Sequence, residues 1–482
     1  MSGDESQSDL EKQLLSMECH FTWGLDKFVK VVTNIMNKVE FHLQNNPGSW
    51  QVGGRNFLAF INEVENRDST QAFKNLEDAL QNAKKEHGDD HERYSVVTCA
   101  NFAWLYYRQD DHDKAKSYAC QVSDICVKVG GTSSMVALPE VFAEKGWSLS
   151  KCRGEAYPAA IESFRIALQG DKDNIDWIFG LAICHKMEVL EGEKLLKKVL
   201  DLDPQNTIAM VLLALRLQAR EENEEALSYI TEAMEKSPGH PTVLKYAGMF
   251  FRRQRTTESM DTSLKILQNA LRLAPTSATI QHTIGSIYFE RYKLKKRCLP
   301  RHYRAFESTE LNQLLSKAVE ALKNSLLLNG NYSRCQLDLA RAFWERRSDH
   351  NSARNLYEHM LQDESLKPEE KQITHLFFGR FLMWKLKSEE KAKDTAPPFG
   401  LVLPPLTFLG FTLRKPRHLG SLVSPAMRLS LGLSLSHRRH IGDLSVFFCL
   451  LSSLTPPALS QIRPPPPIFP QGAQGPPTTP FW

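Results

Sequence analysis

The feature that most constrains this chain is a spacing of small and bulky residues that recurs within residues 1–393. A small residue is followed four positions later by a bulky one, and three positions after that by a second small one. The spacing is seen, in full or in its second half, at Ala72, Leu76 and Ala79; at Ala160, Phe164 and Ala167; at Ala226, Ile230 and Ala233; and at Leu267 and Ala270. Positions three and four apart share one face of an α-helix. The spacing therefore predicts a series of amphipathic helices.

Small residues have a physical purpose at these positions. Two antiparallel helices approach to the short end of the ~8–10 Å range only where their crossing point carries Ala or Gly. Pro238 and Pro275 each stand five residues after the last patterned alanine, where a proline ends a helix. The combination is typical of the second half of a tetratricopeptide repeat. We predict an all-α fold, a tetratricopeptide-repeat superhelical solenoid with a disordered proline-rich C-terminal tail.

The composition changes sharply near residue 393. Most of the 25 prolines lie beyond that point, and they include the run 464–467. Each proline removes a backbone donor and restricts the residue before it, so we expect residues 394–482 to be disordered. The predicted division is an N-terminal tetratricopeptide-repeat subdomain over 1–240, a second one over 241–393, and the tail over 394–482.

Charge and cysteine content bear on the compartment. The formal net charge is +4, from 60 basic and 56 acidic residues, and most of the excess lies in the tail. The nine cysteines form no CxxC pair and no cluster at metal spacing, which favours reduced thiols. The N-terminus has no signal-peptide pattern, and no apolar run reaches the ~18–20 residues of a membrane span. We expect a cytoplasmic protein that has no membrane partner.

Sequence motifs for catalysis are missing. The chain contains no P-loop, no dinucleotide-binding glycine motif, no GxSxG and no HExxH. The adjacent Cys19 and His20 are more typical of packing than of a nucleophile and its base. We therefore expect a binding protein and not an enzyme, with no cofactor and no metal site. Stacked helix pairs present a long surface that suits peptides or nucleic acid.

Three clusters combine cations with aromatic rings. They are Lys245, Tyr246 and Arg252; the basic run 292–304; and Trp147, Lys151 and Tyr157. Single-stranded RNA favours this combination, because its phosphates attract Lys and Arg while its bases stack on ring faces.

Each cluster also has a structural interpretation. Trp147 stands where a repeat places a core aromatic, and the run 292–304 is equally typical of a solvated loop. Arg252 and Arg253 are also suited to pairing with neighbouring acids. From these residues alone, nucleic-acid binding and protein binding both stay open.

Several strings in the chain are specific enough to indicate a family. They are Cys19-His20-Phe21-Thr22-Trp23, Asn101-Phe102-Ala103-Trp104-Leu105-Tyr106-Tyr107, Lys145-Gly146-Trp147-Ser148-Leu149-Ser150-Lys151, Lys245-Tyr246-Ala247-Gly248-Met249-Phe250-Phe251-Arg252 and Leu337-Asp338-Leu339-Ala340. In their order and content they resemble the interferon-induced proteins with tetratricopeptide repeats, over roughly residues 1–393. The resemblance implies an antiviral protein that holds the 5′ end of single-stranded RNA, triphosphorylated or incompletely capped, and suppresses its translation. An adaptor that acts through proteins, without strong RNA binding, is the alternative within the same family.

The resemblance also implies site residues and partners. Trp147 and Tyr157 are expected to stack on the terminal base or cap, and Lys151 to contact the 5′ phosphates. Further expected RNA contacts are Lys245, Tyr246, Arg252, His282 and Tyr332. The implied partners are single-stranded RNA with a modified 5′ end, family paralogues and the translation-initiation machinery, and homo- or hetero-oligomers are compatible with this family.

The chain departs from the family at several positions, among them Asn34, Thr242 and Thr283, and two departures bear most on RNA binding. Met187 replaces a phosphate-binding arginine, so that Lys186 and Lys38 become the candidate contacts, as point charges without bidentate geometry. The proline-rich tail stands where family members continue with further repeats. We therefore expect a truncated array that is less stable, and that binds RNA more weakly, than a full-length relative.

Overall fold

The computed structural model describes residues 2–28, 32–46, 50–152, 154–185, 188–298, 309–364 and 366–384. Within these ranges the chain is α-helical, with short 3-10 and π turns and no strand. Residues 394–482, for which disorder and a truncated array are expected, lie outside the described residues.

The helices follow one another with short connections. The first ten are α1 Ser2–Leu15, α2 Val32–Asn45, α3 Gln51–Ile61, α4 Ser69–His87, α5 His91–Arg108, α6 His112–Gly130, α7 Pro139–Cys152, α8 Tyr157–Gly170, α9 Ile175–Cys184 and α10 Val189–Leu202. The others are α11 Thr207–Ala219, α12 Asn223–Lys236, α13 Pro241–Gln254, α14 Thr257–Leu273, α15 Ala278–Cys298, α16 Thr309–Leu328, α17 Ser333–Glu345, α18 His350–Gln362 and α19 Pro368–Trp384.

Consecutive helices pack in pairs from α3–α4 through α17–α18, and each pair contacts the next. This is the arrangement that the repeated spacing predicts, and the all-α tetratricopeptide-repeat fold is confirmed. Residues 1–374 form one compact unit. The expected subdomain boundary near residue 240 stays a prediction. None of the described helices is, taken singly, long and apolar enough to cross a membrane, although the bent pair His112–Ala137 and Pro139–Cys152 passes a test of length and composition.

The patterned residues lie at the helix crossings. Ala160, Phe164 and Ala167 are fully buried, and so are Ala226, Ile230 and Ala233. Phe164 presses against a glycine of a facing helix: a Cβ added to Gly180 would lie 2.4 Å from Cζ of Phe164. Close packing of the helices therefore depends on both the bulky and the small residue.

Side-chain caps set several of the helix starts. Asn174 accepts a hydrogen bond from the backbone N–H of Trp177, and Asn206 accepts one from Ala209. Thr256 and Ser259 form a reciprocal capping box at the start of α14. Such caps satisfy amide donors that the first turn of a helix leaves without partners.

Helix α2 stands outside these pairs. α2 contributes Ile35 and Val39 to the core formed by the early helices, while its Phe41 packs against the core formed by the later ones. The side-chain amide of Asn37 on α2 donates to the backbone oxygen of Leu328, at the end of α16. Within residues 1–374, α2 therefore joins helices that are far apart in the sequence.

Candidate nucleic-acid interface

The cluster around Trp147 forms where the start of α3 meets α7. The ring centroids of Trp50 and Trp147 lie 6.3 Å apart. The ammonium nitrogen of Lys151 lies 4.7 Å from the Trp50 ring and 4.9 Å from the Trp147 ring. A cation at these distances is attracted to both ring faces. The structure thus builds an aromatic–cation site from Trp147, Lys151 and Trp50.

Trp147 itself is deeply buried, with 2% of its surface exposed. Its indole N–H donates to the carboxylate of Asp176 at 2.8 Å, and the ring of Phe164 meets it edge-on at 5.5 Å. His42 of α2 lies 6.1 Å away. The expected stacking of a base on Trp147 is not available in this conformation, because no face of the ring is open.

A polar network lies buried beside this cluster. His20 is fully buried, between the amide of Asn101 and the hydroxyl of Ser148, and burial lowers its pKa to about 3. Glu144 accepts a hydrogen bond from Asn56 at 2.8 Å. Burial raises the pKa of Glu144 to about 8 in spite of that bond. His20 thus has the packing role that the sequence favoured.

α2 supplies Lys38 to the same region. Lys38 is half-buried and lies near Cys152, the last residue of α7. Burial raises the pKa of the Cys152 thiol to about 12, and the positive charge of Lys38 partly opposes this rise. Tyr157, at the start of α8, is half-buried against the same core. The other expected cation, Lys186, and its neighbour Met187 lie outside the described residues.

Lys245 and Tyr246 lie on α13, opposite α2. The ammonium nitrogen of Lys245 is 4.5 Å from the ring of Tyr246 and 4.9 Å from the ring of Phe41. This second aromatic–cation site repeats the chemistry of the first. It brings together two residues that the sequence predicted and one, Phe41, that it did not.

Arg252 is held by an acid, as the structural interpretation proposed. Its Nη2 lies 2.6 Å from Oε1 of Glu290, and its Nε lies 3.3 Å from Oε2, so that the pair is bidentate. Arg253 donates to the backbone oxygen of Leu215. An RNA phosphate therefore competes with Glu290 for Arg252, which weakens the expectation that Arg252 contacts RNA.

His282 is similarly engaged. It is 5% exposed, with Nε2 3.0 Å from Oδ2 of Asp338 and Nδ1 3.1 Å from the hydroxyl of Tyr332. Burial raises the pKa of Asp338, but the hydrogen bond with His282 and the nearby arginines outweigh burial and hold that pKa well below its usual range. The structure thus brings together His282 and Tyr332, which the resemblance had suggested as separate RNA contacts, within a hydrogen-bonded network.

Two further cations surround this network. Nζ of Lys293 lies 4.7 Å from the ring of Phe289, and the guanidinium of Arg341 lies 5.8 Å from the same ring. Burial and the positive charge of Arg341 lower the pKa of Lys293 to about 8, although Glu290 and Asp338 oppose this. With Arg252, the cations Lys293 and Arg341 outnumber the neighbouring carboxylates Glu290 and Asp338, which is a suitable environment for an anion.

The basic run 292–304 is divided by the limits of the described residues. Lys295 pairs with Glu310, and Nζ of Lys296 lies 2.5 Å from Oε2 of Glu345. Residues 299–304 lie outside the described residues. Of the described part, Lys293 is the cation that faces the Phe289 ring.

Comparison with known proteins shows what this chain is similar to. Residues 55–126 match the family described as Tetratricopeptide repeat. The human Protein IFIT1 homolog B is 29% identical over 405 residues, which cover 81% of this chain and 84% of that protein. The human Interferon-induced protein with tetratricopeptide repeats 2 is also 29% identical, over 81% of this chain and 82% of that protein.

Solved structures agree with these sequence comparisons. A monomeric mutant of IFIT1 with Gppp-AAAA superposes with a TM-score of 0.70 at 28% identity, over 80% of this chain and 85% of that one. In sequence and in structure the chain is similar to the interferon-induced proteins with tetratricopeptide repeats. A human IFIT1 dimer with PPP-AAAA gives a TM-score of 0.64 at 27% identity, over 80% of this chain and 84% of that one.

The structure assembles most of the predicted site residues in two groups. The first contains Trp147, Lys151 and Lys38, and the second contains Arg252, His282 and Tyr332. Sequence reasoning missed Trp50, Phe41 and Arg341, whose partners are distant in the chain. One signal was present for Lys293, since it belongs to the basic run, but nothing in that run distinguishes it from Lys295 or Lys296.

Proposed function

We propose that this chain binds the 5′ end of single-stranded RNA and thereby inhibits translation of that RNA in the cytoplasm, as an antiviral effector without a catalytic step. The observation that carries the proposal is the position of the Lys151 ammonium against two indole rings. It is supported by similarity to IFIT1, which is described as an antiviral innate immune response effector and has been solved with capped and triphosphorylated RNA.

The proposed RNA contacts are mainly contacts to phosphate. Lys151 and Lys38 lie near the end of α7, and Lys245 lies on α13 opposite α2. Lys293 adds a cation whose pKa is lowered mainly by burial and further by the positive charge of Arg341. Phosphate contacts of this kind give affinity without sequence preference.

The proposed partners extend beyond RNA. Human IFIT1 has been solved as a dimer, and we propose that this chain also associates with itself or with paralogues. Inhibition of translation would further require contact with the initiation machinery.

A gel shift tests the proposal, using the full chain and one RNA sequence with a 5′ triphosphate, a 5′ cap or a 5′ hydroxyl. We expect tighter binding to the triphosphate than to the hydroxyl. Lys151→Glu should weaken binding of the triphosphorylated RNA at least tenfold and lower the salt dependence by about one phosphate contact. The matched control is Lys194→Glu, the same charge reversal at a lysine that is 77% exposed and paired with Glu191.

A second candidate function, a protein-binding adaptor, is favoured by the ion pair between Arg252 and Glu290 and by the covered face of Trp147. The same experiment separates the two functions. A folded chain that binds none of the three RNAs excludes RNA-end binding and leaves the adaptor. If Lys151→Glu and Lys194→Glu weakened RNA binding equally, binding would depend only on the net charge of the protein and not on this site.

A further inference from the structure

The indole of Trp50 covers Trp147, although the backbone and the indole N–H of Trp50 are both in unfavourable arrangements. Trp50 has φ 55° and ψ 29°, the left-handed region, which a bulky residue rarely adopts. Its indole N–H is buried and has no hydrogen-bond partner among the residues that the structure describes. A strained backbone and an unsatisfied donor both cost free energy, and such costs concentrate at functional sites.

The surrounding sequence makes room for this ring. A Cβ added to Gly53 would lie 2.4 Å from Nε1 of Trp50, and one added to Gly54 would lie 3.4 Å from another atom of the same ring. His42 approaches Trp50 edge-on at 5.8 Å. The ring is therefore seated in a recess whose walls are glycine backbone, His42, Trp147 and Lys151.

That recess has the features that recognise a nucleobase. Trp147 offers a ring face, Lys151 offers a cation beside it, and the space is the size of an indole, a bicyclic ring comparable to a purine. Stacking on an aromatic side chain with a cation nearby is a general way of holding a base. In this chain the side chain of Trp50 already occupies the position that a base would take.

We propose that Trp50 is a specificity-determining residue, which occupies the base position against Trp147 and so excludes a capped RNA 5′ end. With Trp50 in place, Lys151 still carries a charge for the phosphates of an uncapped end. The recess has no room for the extra base that a cap adds. This inference rests on the proposed RNA binding and adds a choice among 5′ ends to it.

The test replaces Trp50 with glycine, which removes the ring and accepts the left-handed backbone without strain. Trp50→Phe is the matched control, because it keeps an aromatic ring in the recess. Dissociation constants are measured for the full chain with triphosphorylated, Gppp-capped and m7Gppp-capped RNA of one sequence at one salt concentration.

We expect the unaltered chain and Trp50→Phe to bind capped RNA at least tenfold more weakly than triphosphorylated RNA. Trp50→Gly should bind capped RNA about tenfold more tightly than the unaltered chain, which corresponds to the stacking of one base, with little change for the triphosphate. Equal affinity of the unaltered chain for capped and triphosphorylated RNA would overturn the inference while leaving the proposed function intact. A folded Trp50→Gly that gains nothing for capped RNA would overturn it in the same way.

A second readout does not depend on RNA. Free indole should refill the recess of Trp50→Gly and raise its melting temperature, and it should leave the unaltered chain and Trp50→Phe unchanged. If no protein binds any RNA, the proposed function fails, and the indole titration alone then decides whether a ring-sized recess exists against Trp147. No stabilisation of Trp50→Gly by indole would overturn the recess itself.

Discussion

At the scale of single residues, the most informative groups are those whose ionisation the fold changes. The pKa of Lys293 is lowered to about 8, and the pKa of Glu144 is raised to about 8. Burial disfavours the charged form in each case. The first shift predicts how RNA affinity changes with pH, and the second predicts how folding stability does.

RNA affinity should fall as the pH rises above about 8. The pKa of Lys293 is lowered to about 8 in the RNA-free chain, and a nearby phosphate favours the charged lysine and raises that pKa. Binding therefore takes up a proton above pH 8, and affinity should decrease by at most about tenfold per pH unit. Fluorescence anisotropy from pH 7 to 9.5 measures this. Lys293→Arg, which stays charged, should lose most of the dependence, and an unchanged slope in that variant would contradict the assignment.

Glu144 should make stability fall as the pH rises. Its folded-state pKa is raised from 4.5 to about 8, so between those values the folded chain holds a proton that the unfolded chain has lost. The stabilising contribution is complete below pH 4.5 and disappears as the pH rises through 8, with a slope of up to about 1.4 kcal/mol per unit.

Denaturant unfolding of the full chain and Glu144→Gln between pH 5 and 9 measures this contribution. The difference in unfolding free energy between the two isolates Glu144, because His20 titrates in both with the opposite sign. Glu162→Gln, at an exposed position of α8, is the matched control and should show no such slope. A pH-independent difference between Glu144→Gln and the unaltered chain would refute the assignment.

At the scale of elements, several helix crossings depend on the contact between a bulky residue and a glycine. Phe164 fills the space beside both Gly146 of α7 and Gly180 of α9. The contact therefore connects a pair to the next pair, and a single methyl group at the glycine disturbs both.

Gly180→Ala should destabilise the chain by about 1–3 kcal/mol, as expected for overpacking. The new methyl would stand 2.4 Å from Cζ of the fully buried Phe164. Gly239→Ala, where an added Cβ meets nothing within 4 Å, should change stability by less than about 0.5 kcal/mol. Thermal and denaturant unfolding compare the two, and equal stabilities would show that the crossing tolerates more volume than the structure indicates.

The elements were predictable because their signals are local. Ala226, Ile230 and Ala233 lie within eight residues, and their burial on one face follows from helical geometry. The candidate site was predictable only where both members of a contact belong to one helix, as with Trp147 and Lys151. Trp50 and Phe41 could not be found in this way, because they reach their partners through the packing of distant helices. The pairing of Arg252 with Glu290 likewise depends on how α13 meets α15.

At the scale of the molecule, α2 connects the two aromatic–cation sites. Lys38 faces the end of α7, and Phe41 lies under Lys245 of α13. The sites are therefore positioned relative to each other through one helix within residues 1–374.

Phe41→Ala should loosen this connection without unfolding the repeats. Removing the ring deletes the contact with Lys245 and part of the packing against the later helices. We expect faster amide hydrogen exchange in α2 and α13, with α5 and α6 unchanged. The control is Phe73→Ala, which removes a ring packed on Tyr106 and should affect α4 and α5 instead. Identical exchange patterns for the two variants would argue against a connecting role for α2.

The hydrogen bond between Asn37 and Leu328 spans 291 positions of the chain, and this has a consequence during synthesis. Helix pairs complete themselves as they leave the ribosome, since each contacts its neighbours. α2 emerges among the first elements, yet its last partner follows roughly 15–60 s later at 5–20 residues per second. Until the later helices are made, Phe41 lacks the part of its native cover that they provide. The nascent chain should thus engage chaperones through α2 first, and release from them should coincide with translation of α16.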